Sequence, residues 1–343
     1  MRQPGLSFSL VALAALVACR TTVSSAPATD RSGAAAPVSV TADTAIRLAR
    51  VDGLQLAYRA SGPSGGETML LIGGTGMQLV DWPEELVRGL ADAGYRVVVY
   101  DHRDVGRSTK LDSLGAPDWA AITRAGQEGR TPPLPYTLED MADDAVGLLS
   151  ALGVAKAHII GASQGGIIAQ LVAIRHPDRV LSVAPMMAGT GNPAHAMPAQ
   201  PARLASIGAP PADTGFESVV DYQVRVALAL AGRGFPADSG VVRERAERSV
   251  RYGYHAEGVA RQQAAALVAS FQDRRDALAR LRVPAVVIQG EDDPIVAPEG
   301  AQEAAATIPG AELLMIPGMG HELPDAVTDR VVDAIVANAE RAG

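Results

Sequence analysis

The chain has 343 residues, 48% of them hydrophobic, 20% charged and 4% aromatic, with 30 Lys and Arg against 38 Asp and Glu for a formal net charge of −8. That apolar share excludes a disordered chain, and the length suits about two units or one large α/β domain carrying an insertion. An acidic chain without a Lys/Arg block is a poor candidate for nucleic acid, and a single Cys excludes a disulfide framework or a Cys-based zinc site.

Residues 1–9 carry one cation, Arg2, and residues 10–18 form an unbroken apolar run. The run is far short of the ~20 residues that cross a bilayer, but it fits the core of a secretory signal. It ends in Leu16-Val17-Ala18-Cys19, where the chain's one Cys stands. This stretch resembles the lipobox of bacterial lipoproteins. The resemblance implies a signal peptide at 1–18, lipidation of Cys19, and a lipid-anchored place in a bacterial cell envelope. Residues 19–43 are mainly Thr, Ser, Ala, Pro and Gly and read as a flexible tether. Membrane contact is then expected through the N-terminal lipid only.

After residue 44, strand-like and helix-like segments alternate. Residues 46–51 and 54–60 flank an Asp52-Gly53 turn and predict a hairpin. Residues 68–72 are a short apolar strand that feeds Gly73-Gly74. Residues 83–93 have helical spacing, with Pro83 at the start and Gly94 as the stop. Residues 95–100 predict a strand, 138–152 a helix, 157–160 a strand, 164–176 a helix ended by Pro177, and 180–184 a strand. Two more strands are expected at 283–289 and 312–316, each followed by a helical stretch. Apolar strands alternating with amphipathic helices predict a mostly parallel sheet covered on both faces. Residues 189–281 break the alternation, with helical runs expected at 241–252 and 260–279. The expected division is a core at 44–188 and 282–343, with a helical cap at 189–281 over the strand ends.

The sharpest motif is Gly161-Ala162-Ser163-Gln164-Gly165, a G-x-S-x-G between an apolar strand and a helix. A strand-to-helix turn this tight needs small neighbours, and it lifts the Ser hydroxyl clear of the sheet edge. It also aims the helix N-terminus, with the Gln164 N–H, at the place where an oxyanion forms. A Ser hydroxyl needs a base, and the base needs a carboxylate to hold its tautomer. In such sites the chain order is Ser, acid, His. His102, His158 and His176 read as structural, while His195 falls in the cap entrance and His255 within a cap helix. His321, in the Gly-rich loop after the last strand, is the expected base. Asp293, held in an extended turn by Pro294, is the expected acid, with Asp292 and then Glu291 behind it. The second oxyanion donor is expected from the loop after residues 68–72, first at Gly74 and next at Thr75.

A dinucleotide loop is excluded because Gly74-Thr75-Gly76 runs on into Met77, Gln78 and Leu79 without the third Gly. No metal is expected, since the His-Glu spacings of zincins are absent. The stretch from Asp101 to Ser108 reads as a turn of charged hydrogen bonds bracing the site. Met186, Met187 and Met197 suggest a soft apolar pocket.

Taken together, the strand-elbow-helix, the Asp293 turn and the His321 loop resemble the α/β-hydrolase superfamily. Gly73-Gly74, Trp82-Pro83, the segment from Asp101 to Ser108, Ile288-Gln289, Asp293-Pro294-Ile295 and the segment from Ile316 to His321 are similar to the aclacinomycin methylesterase group. That group implies carboxyl-ester hydrolysis of a small molecule under a lid, with no cofactor. Two positions depart from the pattern: the superfamily often has His-Gly where this chain has Ile72-Gly73, and Gln164 follows the Ser. Lactonase, C–C bond hydrolase, perhydrolase and aminopeptidase chemistry stay open, as does a non-catalytic binding lipoprotein of the same fold.

Overall fold

Five consecutive buried residues, Thr68–Ile72, cannot lie at a solvent-facing edge, and they form β3 inside an eight-stranded sheet. The structure is a computed structural model and describes residues 45–343. The signal segment, Cys19 and the tether lie outside the described residues. The strands are β1 (Arg47–Val51), β2 (Leu54–Ser61), β3, β4 (Arg96–Tyr100), β5 (Ala157–Ala162), β6 (Val180–Met186), β7 (Val286–Gly290) and β8 (Glu312–Ile316). Their spatial order is β1-β2-β4-β3-β5-β6-β7-β8. The β1–β2 and β2–β4 pairs are antiparallel, and the remaining pairs are parallel. The expected hairpin is present, with φ of 43° at Asp52 and 85° at Gly53, the left-handed pair that a two-residue turn demands.

Helices cover both faces. On one side lie α3 (Leu138–Ala151), α4 (Gln164–Arg175) and α10 (Pro298–Thr307), numbered in chain order. They pack residues such as Met141, Ile168 and Ala304 against Leu70 and Ile159. On the other side α1 (Glu84–Asp92) and α11 (Thr328–Glu340) bring Leu86, Leu90, Val331 and Ile335 against Leu71 and Val97. Thr137 and Asp140 close a reciprocal capping box at the start of α3. A further helix, α2 (Trp119–Gln127), starts on an Asp118 side chain that accepts from the Ala121 N–H.

Between β6 and β7 the chain leaves the sheet and forms α5 (Pro201–Ala205), α6 (Phe216–Leu230), α7 (Ser239–Gly253), α8 (Ala256–Ala269) and α9 (Arg275–Leu278). The single helical run expected over 260–279 is therefore two helices. Arg274 accounts for the break: its guanidinium donates to the carbonyls of Ala269 at the end of α8 and Gln272 beyond it, to Gln170 of α4 in the core, and to the Gly189 carbonyl just after β6. His255, expected within a helix, instead caps the start of α8 by accepting from the Gly258 N–H. No helix among the described residues is long and apolar enough to cross a membrane.

The cap is bolted to the core by polar contacts at the sheet's C-terminal edge. Arg261 of α8 and Asp104 of the loop after β4 are both fully buried and meet at 2.8 Å. The Tyr252 hydroxyl of α7 donates to Asp101 at 2.8 Å. Breaking a buried ion pair strands the remaining charge, at a cost of about 3–5 kcal/mol. Arg261→Met is thus expected to lower the unfolding free energy by about that much in urea titration. An unchanged midpoint would show that water compensates Asp104.

Candidate active site

At the end of β5 the chain turns into α4 through Ser163, whose φ of 57° and ψ of −121° lie in a region few side chains tolerate. The turn is locked by its neighbours: Ser163 N–H donates to Met186 O at 2.9 Å, and Gly166 N–H donates to Ser163 O at 2.8 Å. A Cβ at Gly161 would stand 2.0 Å from Gly165 O, and one at Gly165 would stand 2.0 Å from Ile72 O. Both positions therefore admit only glycine, as the motif requires.

The hydroxyl raised by this elbow lies 2.8 Å from His321 Nε2, and His321 Nδ1 lies 2.7 Å from Asp293 Oδ2. Residues expected from three distant stretches thus meet in one hydrogen-bonded chain. Asp293 takes further bonds that fix its plane: Oδ1 accepts from the N–H groups of Ile295 and Val296, and Oδ2 accepts from Gln289 Nε2 at 2.9 Å. Asp292 faces the other way and is held by Arg233, Gln200 and Arg203 of the cap segment. Burial pushes the His321 imidazole down, but the charge and hydrogen bond of Asp293, with Glu322 behind them, outweigh it. The net result is a pKa raised above the ordinary imidazole value.

Gly74 lies against Ser163, since a Cβ built there would be 3.3 Å from Ser163 Cβ and 3.9 Å from its Oγ. Neither the Gly74 nor the Gln164 amide has a hydrogen-bond acceptor among the described residues. The Gly74 loop is held at several points. His102 Nε2 is 3.0 Å from Gly73 O, and the Thr75 hydroxyl donates to Gln164 Oε1 at 2.9 Å. Burial drives the His102 pKa down to about 4, so the ring is neutral and donates from Nε2 near pH 7.

A cavity of about 1110 Å³ opens over Ser163 and His321. Its far wall comes from the cap, with Leu204, Ile207, Val226, Phe235 and Val242 among its residues. Met187 lines it as expected, but Met186 is packed into the core beneath and Met197 stands off the wall. The reason is strand alternation: Met186 is the last residue of β6 and points into the sheet-helix interface.

Among the described residues, Asp104, Asp112 and His255 come close enough to share a cation. The Arg261 guanidinium already donates to both carboxylates of that set. Asp101 braces the loop as expected, accepting from the N–H groups of Leu79 and Arg107. The sequence assigns no role to two supporting side chains. Gln289 stands out in it only through the Ile288-Gln289 motif and its place before Asp293, and Gln262 of α8 carries no signal.

The chain matches the family of the alpha/beta hydrolase fold over residues 67–325. It is 30% identical over 315 residues to the rhodomycin D methylesterase DauP of Streptomyces sp. (strain C5), covering 86% of this chain and 98% of that protein. Rhodomycin D methylesterase DnrP of Streptomyces peucetius is 29% identical, with the same coverage of 86% and 98%. Among solved structures, the enol-lactonase of Burkholderia xenovorans LB400 superposes with a TM-score of 0.61 at 25% identity, covering 84% of this chain and 99% of that one. This chain belongs to the α/β-hydrolase fold family.

Proposed function

We propose that this α/β-hydrolase cleaves a carboxylic ester through an acyl-enzyme intermediate, with Ser163 as nucleophile, His321 as base and Asp293 as its orienting acid. The observation that carries the reading is the continuous line of Ser163 Oγ, His321 and Asp293 at 2.8 and 2.7 Å beside two unpartnered amides. Asp293 holds the proton of the neutral imidazole on Nδ1, leaving Nε2 to take the Ser163 proton as Oγ attacks the carbonyl carbon. The carbonyl π electrons move to oxygen, where the N–H groups of Gly74 and Gln164 stabilise the negative charge. His321 then gives its proton to the leaving alcohol. Water, deprotonated by the same nitrogen, attacks the acyl-serine carbonyl, and collapse of that second adduct returns Ser163 and the free acid.

Similarity to two methylesterases supports an ester as substrate. A cavity of about 1110 Å³ is above the usual ~300–1,000 Å³ for small-molecule sites, and its apolar cap wall favours an ester with a bulky apolar body. A lactone is the second reading, favoured by the likeness to an enol-lactonase, and the same groups open a ring ester without change of role. We further propose that residues 189–281 act as the cap of a core at 44–188 and 282–343. Cys19 is proposed to carry a lipid that anchors the protein to a membrane of the bacterial envelope, a reading supported by the sequence Leu16-Val17-Ala18-Cys19.

Purified protein is expected to hydrolyse p-nitrophenyl esters and to be labelled at Ser163 by a fluorophosphonate, and Ser163→Ala is expected to do neither. Full hydrolysis by Ser163→Ala would sink the assignment. Because the His321 pKa is raised, the imidazole protonates, and the base is lost, as pH falls through a value above about 6.5. The acid limb of kcat/KM is therefore expected above about 6.5, and a profile flat to pH 5 would contradict that role for His321. Expressed with its N-terminus in a bacterium, the protein is expected in the detergent phase of a membrane extract. Cys19→Ser is expected to abolish that partition, and an unchanged partition would refute lipid anchoring at this residue.

A further inference from the structure

We infer that Gln262, on the cap helix α8, is a positioning residue for this hydrolysis: it sets the orientation of the loop that carries the Gly74 amide. The inference rests on the serine-hydrolase reading above and adds to it a defined role for the cap.

Gln262 is fully buried and spends both ends of its amide on backbone. Oε1 accepts from Gly76 N–H at 2.8 Å, and Nε2 donates to Arg103 O at 2.8 Å. One cap side chain thereby ties the loop after β3 to the loop after β4. The first of these bonds falls at a sensitive place. Met77 N–H donates to Gly74 O at 3.1 Å, closing a four-residue turn over 74–77. Gly76, its third residue, has φ of +71°, the signature of a type II turn. A type II turn differs from type I by a flip of its central peptide, here the one joining Thr75 to Gly76. Gln262 grips the N–H of that peptide.

The same helix crowds this spot from above. A Cβ at Gly76 would stand 3.0 Å from Val259 Cγ2, so α8 rests directly on the turn. The core supports the same turn through His102 beneath Gly73 and Gln164 beside Thr75, and farther along the loop Gln78 donates to Ser249 of α7. The grip on Gly76 is the cap's hydrogen bond to the turn itself. Gly74 is two residues away and sits against Ser163, so rotation of the 75–76 peptide shifts the direction of the Gly74 amide relative to the reacting carbonyl. A misplacement on the order of 1 Å in such a donor costs up to roughly 100-fold in rate.

The test uses the whole chain, with every rate normalised to the serines titrated by fluorophosphonate. Gln262→Met keeps the length of the side chain and loses both hydrogen bonds. It is expected to lower kcat on a p-nitrophenyl ester roughly 10- to 100-fold, with KM changed by less than about twofold. The inhibition constant of phenylboronic acid, whose tetrahedral serine adduct places an oxygen where the oxyanion forms, is expected to rise by the same factor as kcat falls. Gln262→Glu is expected to recover most of the rate. Burial favours its neutral acid, which accepts from Gly76 and donates to Arg103. Should Gln262→Met fail to fold, Gln262→Asn, too short to span both loops, replaces it with the same expected losses.

Wild-type kcat per titrated serine in the Met or Asn variant overturns the inference, as does a loss of kcat with no loss of boronate affinity. Both results leave the serine-hydrolase reading intact if the wild type is labelled and turns over. An unlabelled, inactive wild type instead removes that reading, and the inference with it.

Discussion

At Ser163 the chain passes from strand to helix with φ of 57° and ψ of −121°, a conformation that costs a non-glycine residue of order 1–3 kcal/mol. Nothing local repays that cost, so the surroundings hold it. Met186 O takes the Ser163 N–H from β6, and β3 closes so tightly on Gly165 that its carbonyl at Ile72 occupies the volume of any added Cβ. The elbow therefore exists only because three adjacent parallel strands, β3, β5 and β6, are in register beneath it. The buried runs of those strands are thus the first requirement of the site, before any polar residue matters.

The two acidic neighbours after β7 show how the fold separates chemistry from attachment. Asp293 is 1% exposed and has its oxygens committed to Gln289, two backbone amides and His321. A carboxylate so bound cannot rotate, and its charge outweighs the burial that would otherwise depress the imidazole. Asp292 turns to the cap, where Arg233 donates to it from both backbone and side chain. The two neighbouring carboxylates thus point to different partners, one to the imidazole and the other to the cap.

Much of this could be read from the chain because it depends on local pattern. Buried runs at β3, β5 and β7, the Asp52-Gly53 turn, and small residues around Ser163 each leave a mark within a few positions. The Asp293-Pro294 pair marks itself too, since Pro fixes its neighbour's backbone. What escaped depends on contacts between distant segments. The break between α8 and α9 has no Pro or Gly at the Ala269 end; it comes from a buried Arg274 reaching Gln170 of the core and the Gly189 carbonyl beside it. Met186 and Met187 are adjacent and both buried in the same core cluster, yet only Met187, just past the end of β6, also lines the cavity. Gln262 is one of four polar residues in an Ala-rich helix, and only the placement of α8 over the loops after β3 and β4 gives it partners.

The cap's polar contacts are unevenly distributed, and that distribution says which part of it is free to vary. The segment after α6 is fastened to the His321 loop: His321 N–H donates to Leu230 O, Gly234 N–H to Gly318 O, and Gly232 N–H to Glu322. Helix α8 is fastened to the loops after β3 and β4 through Arg261 and Gln262. The first attachment ends on the His321 loop and the second reaches Gly76, two residues from Gly74, so changes there would be felt around Ser163 and His321. Wall residues of α6 and α7 such as Val226 and Val242 instead meet the cavity, where one apolar side chain can replace another at the cost of volume alone. An insertion between β6 and β7 can thus shape a binding wall with one face while its hydrogen bonds to the core hold the loops around Ser163 and His321 in place.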